Sequence, residues 1–331
     1  PRLAQAVDVL AAVLLLLGVI AAYTSGIDLR IGFLRLSIHS AWRPFLWALV
    51  MLGMRHWFVP RPTSFEWLTR KAAGALPADE SSLFGEPQTW QQRIARLVPV
   101  VLGFSVLTAA LTWPQVRHLD SVPDMGDPLF YIWCIAWISH QIVRDPLRLF
   151  DANMFYPERL TLTYDDSIIV PGLMSAPLFW MGLHPVLIYN LVLLSAFVLS
   201  GVTMFLLVRA LTGRIDAATI AGAIFALYPY RFEHYPHLAL QMTMWMPLAL
   251  WAMHRTMARG RLRDGLATGL AFALQTLSSL YYGLFLAVYL VPLGCALWLS
   301  RGRPRRPLLA LAAGAALAAV LVSPVVYAYT T

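Results

Sequence analysis

Two polar clusters interrupt an otherwise apolar chain, and both hold groups suited to acid–base or phosphate chemistry. The first runs from Trp113 to Asp166. It carries Asp120, Asp124, Asp127, Asp145, Asp151, Glu158, Asp165 and Asp166, eight of the 17 acidic residues. Carboxylates are costly beside a bilayer, so this concentration points to use. Pro128 suits the first helical position, where its missing N–H costs nothing. Asp127 is then the expected N-cap. At ~100° per residue, Tyr131, Cys134, Gln141 and Arg144 share its helix face. Trp133, Trp137 and His140 point elsewhere, toward lipid headgroups or a neighbouring helix. A plain helix cap accounts for this spacing. A carboxylate at a helix start, held ionised by the helix dipole, also has the chemistry of a general base. Asp124 is the second carboxylate placed to take part.

The second cluster is Tyr228-Pro229-Tyr230-Arg231-Phe232-Glu233-His234-Tyr235-Pro236-His237. Arg231 is suited to hold a phosphate through charge-assisted hydrogen bonds. Glu233, His234 and His237 add acidic and imidazole groups. An interfacial belt, where Tyr and Arg are common, is the competing reading. Tyr281 and Tyr282, preceded by Gln275, Ser278 and Ser279, either line a sugar or lipid-phosphate site or pack helices through small polar groups. Asp124, Asp127, Asp165, Asp166, Glu233, His234 and His237 are of the types that ligate divalent ions. Their spacing is no ligand signature, and Asp165-Asp166 reads as a solvated turn. No cofactor is therefore assigned, and a divalent metal stays an alternative.

The elements that must position these groups are membrane helices. Hydrophobic residues make up 59% of the chain, charged residues 13%, and the mean hydropathy is +0.64. A soluble domain carries about 25% charged residues. The net charge of +8 comes almost wholly from arginine, Lys71 being the one lysine. These arginines sit in short loops between apolar spans, which indicates topology and excludes nucleic-acid binding as their purpose. Cys134 and Cys295 are isolated and form no metal or disulfide pattern.

Spans of ~20 apolar residues are expected at 7–24, 41–59, 97–113, 186–208, 216–230, 238–256, 265–280, 282–299 and 308–328. The first lacks the basic leader and cleavage site of a signal peptide and reads as an anchor. Basic residues follow alternate spans, at Arg55 to Lys71, Arg209 and Arg214, Arg255 to Arg263, and Arg301 to Arg306. The positive-inside rule sets these in the cytoplasm and both polar clusters outside. Arg30 and Arg35 break the pattern, in a connection whose alternation reads as a strand or hairpin. The apolar stretches 129–143 and 168–183 fit interfacial or re-entrant helices better than spans. The expected organisation is a two-span unit at 1–60, a polar linker at 61–96 with an amphipathic helix near 64–73, and a core at 97–331 with an acidic outer loop at 114–185. The chain starts without methionine and stops just after a span, as expected of a fragment trimmed at both ends.

The span, the outer loop with Asp127, Tyr131 four residues on and the following interfacial helix resemble the GT-C superfamily of integral-membrane glycosyltransferases. The likeness is to the branch of protein O-mannosyltransferases and lipid A aminoarabinose transferase. Pro128 stands where that branch has a glutamate. Asn190–Gly213 and Ala217–Pro229 resemble its next two spans, so the likeness covers about 97–260. The resemblance implies an all-α polytopic membrane protein, a GT-C-like transmembrane bundle with interfacial helices in its first outer loop. It implies transfer of a sugar from a polyprenyl-phosphate donor to an acceptor hydroxyl on the extracytoplasmic face of a bacterial inner membrane, without a metal. Asp127 would be the base. Arg117 or Arg231 would meet the donor phosphate, and membrane lipids would surround the donor. The family has an acidic residue facing the phosphate near Glu233 or His237. The alternative is a non-catalytic carrier of lipid-linked sugars or an assembly subunit. A transporter would place charge at mid-membrane, whereas the polar groups here gather at one face.

Overall fold

The computed structural model describes residues 2–23, 27–31, 34–38, 44, 46–52, 90–300, 302 and 305–331. The chain divides into two compact units, Pro1–Glu80 and Ser81–Thr331, and the division falls inside the segment read as a linker. Most of that linker, its helix near 64–73 and most of the span at 41–59 lie outside the described residues.

In the first unit α1 (Arg2–Tyr23) precedes the antiparallel hairpin of β1 (Ile27–Ile31) and β2 (Leu34–Ile38), with Ile27 opposite Ile38 and Ile31 opposite Leu34. Residues 46–52 are helical. The alternation Ile27-Asp28-Leu29-Arg30-Ile31 thus forms the strand its period of two demands.

The second unit is helical throughout its described elements. They are α2 (Trp90–Leu111), α3 (Asp127–Arg144), α4 (Ile169–Trp180), α5 (Pro185–Thr212), α6 (Ile215–Leu227), α7 (Pro229–Glu233), α8 (Leu238–Gln241), α9 (Trp245–Arg259), α10 (Leu262–Thr276), α11 (Leu280–Ser300) and α12 (Arg305–Thr330). Among the described residues, α5, α11 and α12 are long and apolar enough to cross a membrane. The fold is therefore all-α apart from the hairpin, and a membrane protein by the length and composition of these helices.

Three expected spans come out differently. The segment 216–230 becomes α6, 13 residues long, closed at Tyr228 before Pro229 opens α7. At ~1.5 Å per residue α6 is ~20 Å long, short of a ~30 Å hydrocarbon core. The segment 238–256 breaks into α8 and the 15-residue α9, with Met242 to Met244 between them. Residues 265–280 yield the 15-residue α10. The break at 242–244 has a clear cause. Leu238, Ala239, Met242 and Met244 are apolar because protein buries them, not lipid. Irregular backbone is tolerated at such a place when it is buried and its polar groups are paired.

The main core lies where α3, α4 and the first half of α5 meet this segment. Tyr131, Cys134, Ile135 and Ile138 form the buried stripe of α3. Ser139 donates to Gly172 O of α4 at 3.2 Å, and Trp180 returns a bond to Ser139 O at 3.1 Å. The off-face tryptophans hold the following loop, Trp133 by Asn153 Oδ1 at 3.0 Å and Trp137 by Leu149 O at 2.8 Å. A second packing centre joins α10 to α12 by backbone contact. A Cβ on Gly265 or Gly269 would run into the carbonyls of Ala310 and Gly314. Where α9 turns into α10, buried Asp264 accepts from Arg255 at 2.7 Å, and Arg255 lies over Trp251.

Candidate functional site

The two polar clusters, far apart in sequence, meet at one side-chain contact. His237 Nε2 lies 2.7 Å from Asp127 Oδ2. Adjacent residues of α5 bring the loops together. Asn190 is buried, donates to Leu119 O at 2.9 Å and Ser121 O at 2.8 Å, and accepts from Gln115 Nε2 at 2.7 Å. Tyr189 donates its hydroxyl to Pro236 O at 2.8 Å. One helical end therefore pins the loop before Asp127 and the loop before His237. Neither residue was singled out from sequence, although a Tyr-Asn pair entering a long apolar helix is a visible signal.

Asp127 is not the cap of α3. Gly126 occupies the N-cap position, Asp127 opens the helix and Pro128 follows. Asp124 folds the approach, its Oδ1 accepting from Gly126 N at 2.8 Å. With the turn closed by Asp124, the Asp127 side chain is free of a capping role and reaches His237. It is half exposed, at 51%. His237 Nδ1 is buried and has no hydrogen-bond partner among the described residues. The imidazole thus offers its one engaged N–H to Asp127, while its other nitrogen faces no solvent. Both side chains are partly exposed, that of His237 at 39%.

Tyr131 lies one turn below, buried on the same face. Burial first, then the charges of Asp165, Asp127 and Asp166, push its phenol well above the ordinary range. Burial and Asp165 do the same to the Cys134 thiol. Asp165 and Asp166 thus stand near the foot of this face, and the reading of Asp166 as a solvated turn is corrected. Asp166 Oδ2 accepts from Ser279 Oγ at 2.5 Å, and Oδ1 from Leu280 N at 2.6 Å and Ser167 N at 2.8 Å. It caps the start of α11 from across the molecule. Burial raises its carboxyl above the usual range, with Asp165 adding to burial and these hydrogen bonds opposing it. Ser167 Oγ and Val170 N bind Leu277 O, and Tyr329 of α12 donates to Asp165 O at 2.6 Å.

This capping contact carries a prediction. Asp166→Ala strands the Leu280 N–H and the Ser279 hydroxyl, with an expected loss of about 1–3 kcal/mol. Because the folded carboxyl holds its proton more tightly than the unfolded one, its contribution is full below the unfolded aspartate range and fades as pH rises through the folded value. The melting-temperature gap between wild type and Asp166→Asn is thus wider in acid than at neutral pH. A gap that widens toward neutral pH contradicts this assignment.

The remaining predicted residues fall into two places. Arg231 is wholly buried, its Nε on Gln241 Oε1 at 3.0 Å, Nη2 on Gln241 O at 2.7 Å, Nη1 on Thr243 Oγ1 at 3.4 Å, and its guanidinium 4.2 Å from the Phe197 ring. Burial pushes it down to about 10, while Tyr228 and Tyr282 favour its charge. Among the described residues no carboxylate pairs with it. Gln241 Nε2 also closes the loop onto Arg231 O and His234 O. Arg231 thereby shapes the loop that presents His237. The His234 ring lies tilted against that of Tyr230, 4.3 Å between centroids, and meets His237 edge-on at 5.4 Å. Glu233 and Tyr281 are exposed, and Tyr281 and Tyr282 lie in the first turn of α11. Gln275 Nε2 and Ser278 Oγ donate within the fold, to Met242 O and Leu274 O. Arg117 is exposed on the first loop, 5.5 Å from the Trp113 ring. Among the described residues no three His, Cys, Asp or Glu side chains converge as a metal site would require.

Comparison with family models, with curated proteins and with solved structures finds no match to this chain.

Proposed function

We propose that the chain is a GT-C-like polytopic membrane glycosyltransferase that moves a sugar from a polyprenyl-phosphate donor to an acceptor hydroxyl on the extracytoplasmic face. The carrying observation is the Asp127–His237 pair, in which a half-exposed carboxylate is held by an imidazole whose Nδ1 is buried and without a partner among the described residues. A hydroxyl is a weak nucleophile at neutral pH and needs a base. Asp127 takes the acceptor proton through Oδ1 while His237 fixes Oδ2. The acceptor oxygen bonds to the anomeric carbon as the bond from that carbon to the phosphate oxygen breaks. Polyprenyl phosphate leaves, and the anomeric configuration inverts.

Arg117 is assigned to the donor phosphate, because its guanidinium is exposed on the loop that leads to Asp127. Arg231 is assigned to positioning, because its described contacts turn inward to Gln241, Thr243 and Phe197. Binding of a panel of polyprenyl-phosphate sugars, followed by thermal shift, tests the reading. One donor should stabilise the wild type selectively, and Arg117→Ala should weaken it at least tenfold, about 1.4 kcal/mol. If no lipid-linked sugar stabilises well-folded protein and none is transferred, the chain is a non-catalytic subunit and the proposal fails.

A further inference from the structure

A second feature lies along α9 to α12 and plays no part in the proposed transfer. A cavity of about 690 Å³ runs between these helices, lined by Met257, Gly294, Trp298, Leu311, Ala315 and Val322 among others. Its two lining hydroxyls are spent within their own helices. Thr268 Oγ1 donates to Asp264 O at 3.0 Å and Ser323 Oγ to Val320 O at 2.9 Å. The lining on α12 extends from Leu308 to Val326, about 27 Å of helix at ~1.5 Å per residue. That is close to one hydrocarbon thickness. Val291 and Val326 on its rim are 67% and 52% exposed, so the groove opens sideways.

One end of this groove is strongly basic. Arg259, Arg261, Arg263, Arg305 and Arg306 are exposed there, and among the described residues none is in an ion pair. They come from two turns that touch. Gly260, at φ +61°, brings the α9–α10 turn so close to α12 that an added Cβ would stand 3.0 Å from Arg306 Cβ. Leu308 and Met257, less than one turn away along their helices, are already groove lining. The contrast with Arg255 is informative, since Asp264 neutralises it. Topology alone asks for arginines near a membrane surface. It does not ask that five arginines outside any ion pair among the described residues gather on two touching turns beside the end of an apolar slot.

We propose that this is a binding site for an anionic phospholipid, with one acyl chain in the groove and the phosphate on the arginine cluster. The charge selects the occupant. A neutral lipid or a packed helix fills the apolar slot but leaves the five guanidinia unpaired, whereas an anionic headgroup satisfies both halves of the site.

The test uses the full chain in detergent, titrated with dioleoyl phosphatidylglycerol and, separately, dioleoyl phosphatidylcholine, and read by native mass spectrometry. Phosphatidylglycerol should bind at least tenfold more tightly. The surface variant Arg261→Gln/Arg263→Gln/Arg305→Gln/Arg306→Gln should bring the two lipids to parity without changing the melting temperature. Ala315→Phe, which fills the slot, should weaken phosphatidylglycerol at least tenfold. Equal affinity in the wild type overturns the proposal. So does a preference that survives the arginine changes, or one that Ala315→Phe leaves untouched, since the lipid then sits only on the surface charge. A lipid-free dimer that Ala315→Phe dissociates assigns the groove to a second copy of the chain and also overturns it.

Discussion

Asp127→Asn is expected to lower sugar transfer by two to four orders of magnitude while leaving the fold and donor binding in place. That is the range over which a positioned general base acts. Asparagine has the same shape, and its amide oxygen can still accept from His237 Nε2 across the 2.7 Å contact. It cannot take a proton from the acceptor. The loss of a negative charge from the first turn costs only about 0.3–1 kcal/mol of helix–dipole stabilisation, so the melting temperature should move little. His237→Ala separates base from support. It leaves the carboxylate but removes the group that orients it, so its defect should be smaller and spread over kcat and KM. Turnover in Asp127→Asn within a few-fold of wild type, with a normal melting temperature, would remove Asp127 from the mechanism. A defect in His237→Ala equal to that of Asp127→Asn would instead make the pair act as one unit.

The sequence displayed the ingredients of this site better than their arrangement. Asp127, Tyr131 and His237 were all visible as chemistry-bearing groups beside apolar spans. That Asp127 pairs with His237, and not with Glu233 or His234, depends on Tyr189 and Asn190, which fasten the two loops to one end of α5. Such long-range side-chain bonds leave no local pattern. Asp165 and Asp166 were discounted for the same reason, because the partners that turn Asp166 into a cap, Ser279 and Leu280, lie on another helix. Hydropathy failed in a different way at 238–244. It measures aversion to water and does not distinguish a segment buried in lipid from one buried in protein. The buried Arg231 and its bonds to Gln241 and Thr243 are what hold that segment out of a continuous helix. Asp127 itself followed the helix-start pattern displaced by one position. Gly126 took the cap, and the carboxylate was thereby released for His237.

The α10–α12 contact supplies the other large effect. Gly269→Leu is expected to abolish recovery of folded protein, and Gly269→Ala to cost about 1–3 kcal/mol, the usual toll of overpacking. Taken alone, alanine should help, since glycine in a helix interior is worse than alanine by about 0.8–1 kcal/mol. The sign reverses because the obstacle is backbone. A Cβ at Gly269 meets the Gly314 carbonyl, one at Gly265 the Ala310 carbonyl, and one at Gly314 the Gly265 carbonyl. No rotamer change relieves such a clash, so the helices must part. This is the small-residue packing that lets membrane helices approach closely where the solvent supplies no hydrophobic drive. Gly103 in α2 is the internal control, because a Cβ there meets nothing within 4 Å. Gly103→Ala should therefore stabilise by up to about 1 kcal/mol while Gly269→Ala destabilises, both read as thermal unfolding in the same detergent. The consequence reaches the site. The α10–α11 turn holds Ser167 and Val170 through Leu277 O, and α12 holds Asp165 through Tyr329. If the two helices separate, the segment carrying Asp165 and Asp166 cannot keep both anchors. Two alanine variants that shift stability alike would mean that the close approach of α10 and α12 is not what supports this end of the molecule.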